Sequence, residues 1–483
     1  MRIARGPKLA GDPPEGAQTA AFDQTGGHCY NKDVRGAPAE VAQLVEHLTE
    51  NQGVPSSSLG LGTKGRPTGW SAVSFLLYYA PNNPHEVDPM AQPVTIAVGP
   101  KGADICGSDN RALQAAVDYV GSFGGGLVRI LPGTYLMRDS LHLRTGVRVE
   151  GSGPDTLLLK DASRTSPLYL DGDYGEEQVT LVDATGFEPG MGIAITDNRS
   201  GGFHVTVARI IARDGNTLII DTPHGADYLA SAGAVAHTVF PVISGYHIQG
   251  ASIAHLAIDG NRDANAPLTG CRGAGIFLYR AHGTLIEDCI VRRYNGDGIS
   301  FQQSNDVTVR DCECAENAQL GLHPGSGSQR PVISGCHSHH NGRIGLFLCW
   351  RVRHGRFSDN VLEANGEYGI SIGHKDTDNL FEHCTVVGNG RHGIYFRPES
   401  EPMAGHRNTF VRCTILDNGS DPTGAGVRVE GFTRDIVLRE CTIGGDGGRQ
   451  HYGVSIGPDA GPVTLDSVTF RGNLSGDLHD ERS

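Results

Sequence analysis

Gly298-Ile-Ser-Phe301, Gly321-Leu-His-Pro324, Gly345-Leu-Phe-Leu348, Gly369-Ile-Ser-Ile372 and Gly393-Ile-Tyr-Phe396 are one phrase restarted at intervals of 23, 24, 24 and 24 residues. The phrase first stands at Gly275 and returns, after gaps of 33 and 27 residues, at Gly426 and Gly453. Each repeat holds two or three short alternating patterns separated by turns, with no helical stretch. A fixed period built from strand patterns predicts stacked coils of parallel strands, a β-solenoid. Stacking sets equivalent residues of neighbouring coils about 4.8 Å apart.

Two more registers run with the same period. One is Cys289, Cys312, Cys336, Asn360, Cys384, Cys413, Cys441 and Ser467. Small residues in one register, with no Cys-x-x-Cys pair, read as packed thiols rather than as a metal site. The other is Asn295, Asn317, Asn341, Asn365, Asn389, Asn418 and Asn473, with Gly445 and Asp446 standing near that place in the odd coil. An Asn amide donates to the coil on one side while its oxygen accepts from the other, so a buried column of them stays satisfied.

The flanks read differently. Residues 1–89 hold scattered Gly, Pro and Ser without a period, and are expected to be an unstructured or spurious leader, with Met90 the natural start. Residues 90–175 read as an N-terminal cap and first coils. Within them Asp109 to Tyr119 predicts a helix, with Ser108 or Asp109 as N-cap and Leu113, Ala116, Val117 and Val120 as its apolar stripe. Such a helix closes the open end of a solenoid. Residues 176–240 break the rhythm and predict a small β insertion, and 241–483 carry the main coils.

The opening resembles that of the pectate-lyase-like superfamily. Gly102-Ala103-Asp104, the stretch Asp109 to Ala115, and Gly125 to Tyr135 match its order and spacing. The resemblance implies an all-β, right-handed, single-stranded parallel β-helix with a helical cap. It does not select among the lyases, hydrolases, epimerases and non-enzymes that share the fold.

With 40 Lys and Arg against 54 Asp and Glu, the formal charge is -14. That disfavours a nucleic-acid partner, and no run of 18 apolar residues predicts a membrane span. The expected partner is a polysaccharide or oligosaccharide, because the outward positions of the repeated strand mix aromatics with charge. Tyr279, Phe347, Trp350, Tyr395, His374, Glu399, Arg428 and Glu430 suit stacking on sugar faces and gripping hydroxyls or carboxylates. The catalytic candidates are His323, Lys375, Arg397, Arg351 and Asp297. His323 or Lys375 would take the C5 proton of a uronate, and Arg351 or Arg397 would neutralise its carboxylate. His323 is expected on the solvent face of its strand, and the loop 259–272 on one side of a groove.

Asn295-Gly-Asp297-Gly298 resembles the Asn-x-Asp-Gly motif of polygalacturonase-type hydrolases, yet Gln319-Leu320 stands where that family has paired aspartates. Gly321-Leu-His-Pro-Gly325 is faintly similar to the Asp-Pro-His-Asp signature of alginate epimerases, without either aspartate. A carbohydrate-active enzyme working by β-elimination, a polygalacturonase-like hydrolase, and a non-catalytic glycan-binding or tail-like solenoid all stay open. No cofactor is implied. His337, His339 and His340 fall on another side of the coil from His323, with no carboxylates evident beside them, so no metal is read there.

The leader supplies the first test. A chain starting at Met90 is expected to unfold in the same cooperative transition as the full chain when followed by circular dichroism; loss of that transition would show that the leader packs.

Overall fold

The computed structural model describes residues 94–482, so the expected leader lies outside the described residues. From Thr95 onward the chain winds into a parallel β-helix. Its repeated strands form an 11-stranded parallel sheet, and the two shorter strands of each coil join a 21-stranded sheet that wraps the rest of the core. Helix Asn110–Ser122 caps the open end. Asp109 is its N-cap and accepts from the backbone N–H of Arg111 and Ala112, while Leu113, Ala116, Val117 and Val120 are buried.

One excursion interrupts the winding. Leu141–His142 pairs in parallel with Ile243–Tyr246, about a hundred residues later. The chain between them builds a six-stranded sheet of antiparallel pairs running from Thr165–Pro167 to Val235–His237. Its own core holds Phe187, Ile193, Ile195, Ile210, Leu218 and Tyr228.

The Asn register forms a continuous column inside the coils. Asn317 Nδ2 donates to Asn341 Oδ1, Asn341 to Asn365 and Asn365 to Asn389, each at 3.0 Å, and Asn389 donates to Asn418 at 2.9 Å. Each receiving oxygen also accepts the backbone N–H of the donor residue, at 3.0–3.2 Å. The remaining Nδ2 hydrogens go to carbonyls such as those of Cys314, Ser338 and Leu362. The column explains the repeated glycine. A Cβ on Gly345, Gly369 or Gly393 would stand 2.7–2.9 Å from an Asn Nδ2 and within 2.9 Å of the next coil's glycine carbonyl.

The ends depart from the expected register. Asn317 Oδ1 accepts from Tyr294 N–H, and the Asn295 side chain instead donates to the Ala266 carbonyl. In the odd coil Gln450 continues the column, accepting from Asn418 N–H and donating to Asn473. The longer side chain spans the gap left by the extra residues there. The thiols of Cys289, Cys312, Cys336, Cys384, Cys413 and Cys441 are buried, with Cys312 Sγ 3.2 Å from the Arg310 carbonyl. Beside them Phe357, Phe381 and Phe410 stack at centroid spacings of 4.6 and 4.4 Å.

Removing an amide from mid-column strands buried backbone and side-chain groups on both neighbouring coils. Asn365→Ala is expected to cost about 3 kcal/mol, read as a fall in the urea midpoint. Asn473→Ala, in the half-exposed last coil, should cost less than about 1 kcal/mol.

Candidate functional site

Alternation along the repeated strand points Phe277, Ser300, His323, Phe347, Ser371, Tyr395 and Arg428 away from the coil interior; they pair one to the next across the sheet, the step from His323 to Phe347 being carried by the adjoining pair Leu322 and Leu346. What they meet outside differs from coil to coil.

At the lower coils they meet protein. Asp297 and His323 are 1% and 3% exposed, with His323 Nδ1 2.7 Å from Asp297 Oδ2. Asp297 Oδ1 accepts from Leu320 N–H. Ser300 and Gln302, also outward, are fully buried. The cover is the loop 260–273. Ser300 Oγ donates to the Gly270 carbonyl at 2.6 Å, and a Cβ on Gly270 would overlap the Asp297 carboxylate. The loop is tied down by Lys160, whose buried ammonium donates to Asn265 Oδ1 and lies 4.5 Å from the Phe240 ring centroid. At its far end the Arg272 guanidinium lies over Phe203. This corrects two expectations. The loop covers the outer face rather than walling a groove, and His323, though it points out of the coil, is buried beneath that loop instead of facing solvent.

Further up, the outer face opens. Phe347 packs edge-on against His323 at 5.2 Å, and the Arg397 guanidinium carbon lies 4.6 Å above the Phe347 ring. Arg397 Nη1 donates to Ser371 Oγ, and Nη2 to the Leu348 carbonyl, both at 2.9 Å. Nη2 is also 3.2 Å from Asp376 Oδ2 and 3.5 Å from His374 Nδ1. His374 Nε2 is 2.7 Å from Glu399 Oε1, and the Trp350 ring stacks on His374 at 5.1 Å. A carboxylate only accepts, so Nε2 carries the His374 hydrogen and Nδ1 presents a lone pair. Phe347, Trp350, His374, Arg397 and Glu399 are thus one connected group. Trp350, Arg351, His374 and Lys375 share a corner in which two successive residues per coil have φ between 48° and 66°. Left-handed backbone at bulky residues costs roughly 1–2 kcal/mol each.

Next to this group, Tyr395 Oη donates to Glu430 Oε2 at 2.8 Å, and Arg428 Nε donates to Glu430 Oε1 at 3.0 Å. Burial and then Glu430 hold the Tyr395 hydroxyl well above its usual range. Arg428 also holds Ser455 and Glu481. Tyr279 stands three coils below Phe347, its hydroxyl on Gln303 and Arg280 over its ring. Arg351 is exposed, and Lys375 is half-buried with its N–H on the Met403 carbonyl.

Sequence reasoning missed Asp376, which is fully buried and accepts from Val352 and Gly373 N–H while facing Arg397. Its signal was present in the period, since Ser304, Ser328, Val352 and Asp376 follow one another at 24 residues. Burial lifts its pKa from 3.8 to about 6, against the opposing pull of Arg397.

Residues 249–401 match the family model of the right handed β-helix region. The chain is a right-handed parallel β-helix protein. The A-module of the Azotobacter vinelandii mannuronan C-5 epimerase AlgE4 is similar at 15% identity and a TM-score of 0.50, over 80% of this chain and 100% of that one. The Dettilon tailspike protein is similar at 12% identity and a TM-score of 0.51, over 80% of this chain and 68% of its own. At such identities the likeness is one of fold. No curated protein matches the sequence.

Asp376 gives a pH test. Its folded pKa is raised, so its stabilising share is complete below pH 3.8 and is lost as pH rises through about 6. Asp376→Asn lacks this titration. Between pH 4 and 7 the stability of the variant relative to the parent is expected to improve by ~2 kcal/mol, measured by urea unfolding at each pH. A difference that does not change with pH would mean that Asp376 titrates normally.

Proposed function

We propose that this β-helix protein is a carbohydrate-active enzyme that takes an acidic polysaccharide along the open outer face of its 11-stranded sheet and cleaves it by β-elimination at a uronate. The observation that supports this most is the Arg397 guanidinium, laid on Phe347 and fixed by Ser371, Leu348 and Asp376, with its Nη2 also 3.5 Å from the unprotonated Nδ1 of His374. In a uronate the carboxylate is bonded to C5. Anchoring that carboxylate on Arg397 therefore brings the C5 hydrogen to His374. The imidazole removes this proton while Arg397 neutralises the carboxylate and steadies the enolate. Electrons from the C5–H bond form the C4=C5 double bond as the C4–O bond breaks. The imidazolium, paired with Glu399, returns the proton to the leaving oxygen, so water is not consumed. Trp350, Phe347 and Tyr395 offer stacking surface on either side.

In this reading His374 takes the role that the sequence offered to His323 or Lys375, because His323 is sealed beneath Gly270. The epimerase module that shares the fold acts, by its name, at C5 of mannuronan; the side chains named above, rather than that likeness, support the reading.

The test is a panel of uronate and neutral polysaccharides, followed by ultraviolet absorbance of the unsaturated product and by new reducing ends. Both signals are expected on a uronate polymer. His374→Ala should lower kcat by 100-fold or more, and Arg397→Lys should lower kcat/KM by a similar factor because the point charge loses the fixed fork. New ends without absorbance would replace the lyase by a hydrolase using Glu399 and Glu430 on adjacent coils. Binding without either signal would make the face a glycan-binding surface.

A further inference from the structure

Phe432 leaves a large apolar ring in water beside the open face. Its relative exposure is 47%, and it lies outside the hydrophobic core. The chain that carries it is nevertheless pinned on both sides. Gly431 takes a left-handed φ of 57°, and a Cβ there would stand 2.4 Å from the Glu399 nitrogen and 2.5 Å from the Glu399 carbonyl oxygen. The two backbones therefore cross in contact, and Phe432 N–H donates to that carbonyl at 3.0 Å. Thr433 is fully buried, its carbonyl accepting from Gly461 N–H at 2.8 Å. Arg434 N–H donates to His406 Nδ1, and the Arg434 guanidinium pairs with Glu401 at 2.6 Å. A ligand that covers the ring gains the burial of its apolar area without having to order the chain beneath it.

Single exposed apolar residues are common on protein surfaces, so its place decides what the ring can do. Trp350 and His374 each stand five residues after the glycine that opens their strand, and Glu399 and Phe432 six residues after theirs. The four occupy one corner of four successive coils, and contacts join each to the next. The Trp350 ring stacks on His374 at 5.1 Å, His374 Nε2 is 2.7 Å from Glu399 Oε1, and the Glu399 carbonyl receives Phe432 N–H. The His374–Glu399 pair is thus bracketed along the winding axis, by an indole one coil below and a phenyl ring one coil above. Three coil steps separate the two aromatics, about 14 Å at strand spacing. That is room for a short run of sugar units rather than one. Aromatic faces take the apolar C–H faces of pyranose rings, while the polar groups between them meet hydroxyls and carboxylates.

We propose, resting on the reading of this face as a polysaccharide site, that Phe432 is its second stacking platform. Phe432 holds the C–H face of a pyranose unit next to the uronate on Arg397, Trp350 holds the unit on the other side, and the sugar chain lies along the winding axis.

The test uses the full chain carrying His374→Ala, so that no ligand is consumed, in calorimetric titration with dimers and hexamers of galacturonate and of mannuronate and with a neutral β-1,4-glucose hexamer. Adding Phe432→Ala is expected to weaken binding of a uronate hexamer about tenfold and to leave the dimer within about twofold. Phe432→Trp should restore the hexamer affinity. With His374 in place, Phe432→Ala should raise KM on the polymer about tenfold and leave kcat within about twofold. The melting temperature should not move, because the ring lies outside the core. A uronate hexamer that binds equally well with and without the ring would overturn the proposal and leave the face a uronate site. Equal weakening of dimer and hexamer would also overturn it, since the ring would then act through Glu399 and not by stacking. A neutral hexamer that binds where the uronates do not, and that Phe432→Ala weakens, would keep the platform and overturn the uronate reading. Binding of no hexamer at all would overturn both.

Discussion

A column of buried amides sets the geometry of this protein. From Asn341 to Asn389 each side chain gives one hydrogen to the coil above and receives the backbone and side-chain hydrogens of the coil below. A buried amide left unpaired costs roughly 1–3 kcal/mol, so any slip of register between coils is opposed at every level of the column. The column also limits its neighbours. The glycines that open each repeated strand lie against the Asn Nδ2 atoms, where a side chain has no room. Two periodic features that look separate in the sequence are one packing constraint.

That constraint frees the outer face. With the interior fixed by amides, thiols and stacked phenyl rings, the outward residues of the repeated strand are not what sets the winding, though several bridge neighbouring coils. They are still held at the coil spacing. Phe347, Ser371, Tyr395 and Arg428 pair one to the next across the sheet. Arg397 reaches back over two of those levels, to Ser371 and to the Leu348 carbonyl. A guanidinium tied at both ends loses little freedom when a ligand arrives, and that preorganisation is what an electrostatic site requires.

The winding was legible because it depends on local repetition. The period, the Asn and Cys registers and the cap stripe Leu113, Ala116, Val117 and Val120 are all set by residues near one another in sequence or one coil apart. Exposure was not legible in the same way. Alternation correctly turned His323 and Ser300 out of the core, but it carries no information about what lies beyond. The cover at those two levels comes from Gly270, on a loop that is anchored by Lys160 from yet another coil. The same reason hid Asp376. Its neighbours in the register are serines and a valine, and only the arrival of Arg397 from the next coil makes a carboxylate useful there.

Asp376 shows how a rigid scaffold tunes one charged group with another. A buried carboxylate is costly in its ionised form, and its two backbone N–H partners with Arg397 do not fully offset that cost, which is why its pKa stands at about 6. Near neutral pH the carboxylate is ionised and takes part of the Arg397 charge at Nη2. Below its pKa the hold weakens and the guanidinium faces outward with more of its charge unopposed. Any anion brought to Arg397 would compete with the Asp376 carboxylate for that charge, so its binding and the ionisation of Asp376 would be linked with opposite signs. Anion affinity at that guanidinium would then rise as Asp376 takes up its proton. Asp376 and His374, the two groups that meet this guanidinium, are held 21 and 23 residues before Arg397 by one turn of the winding.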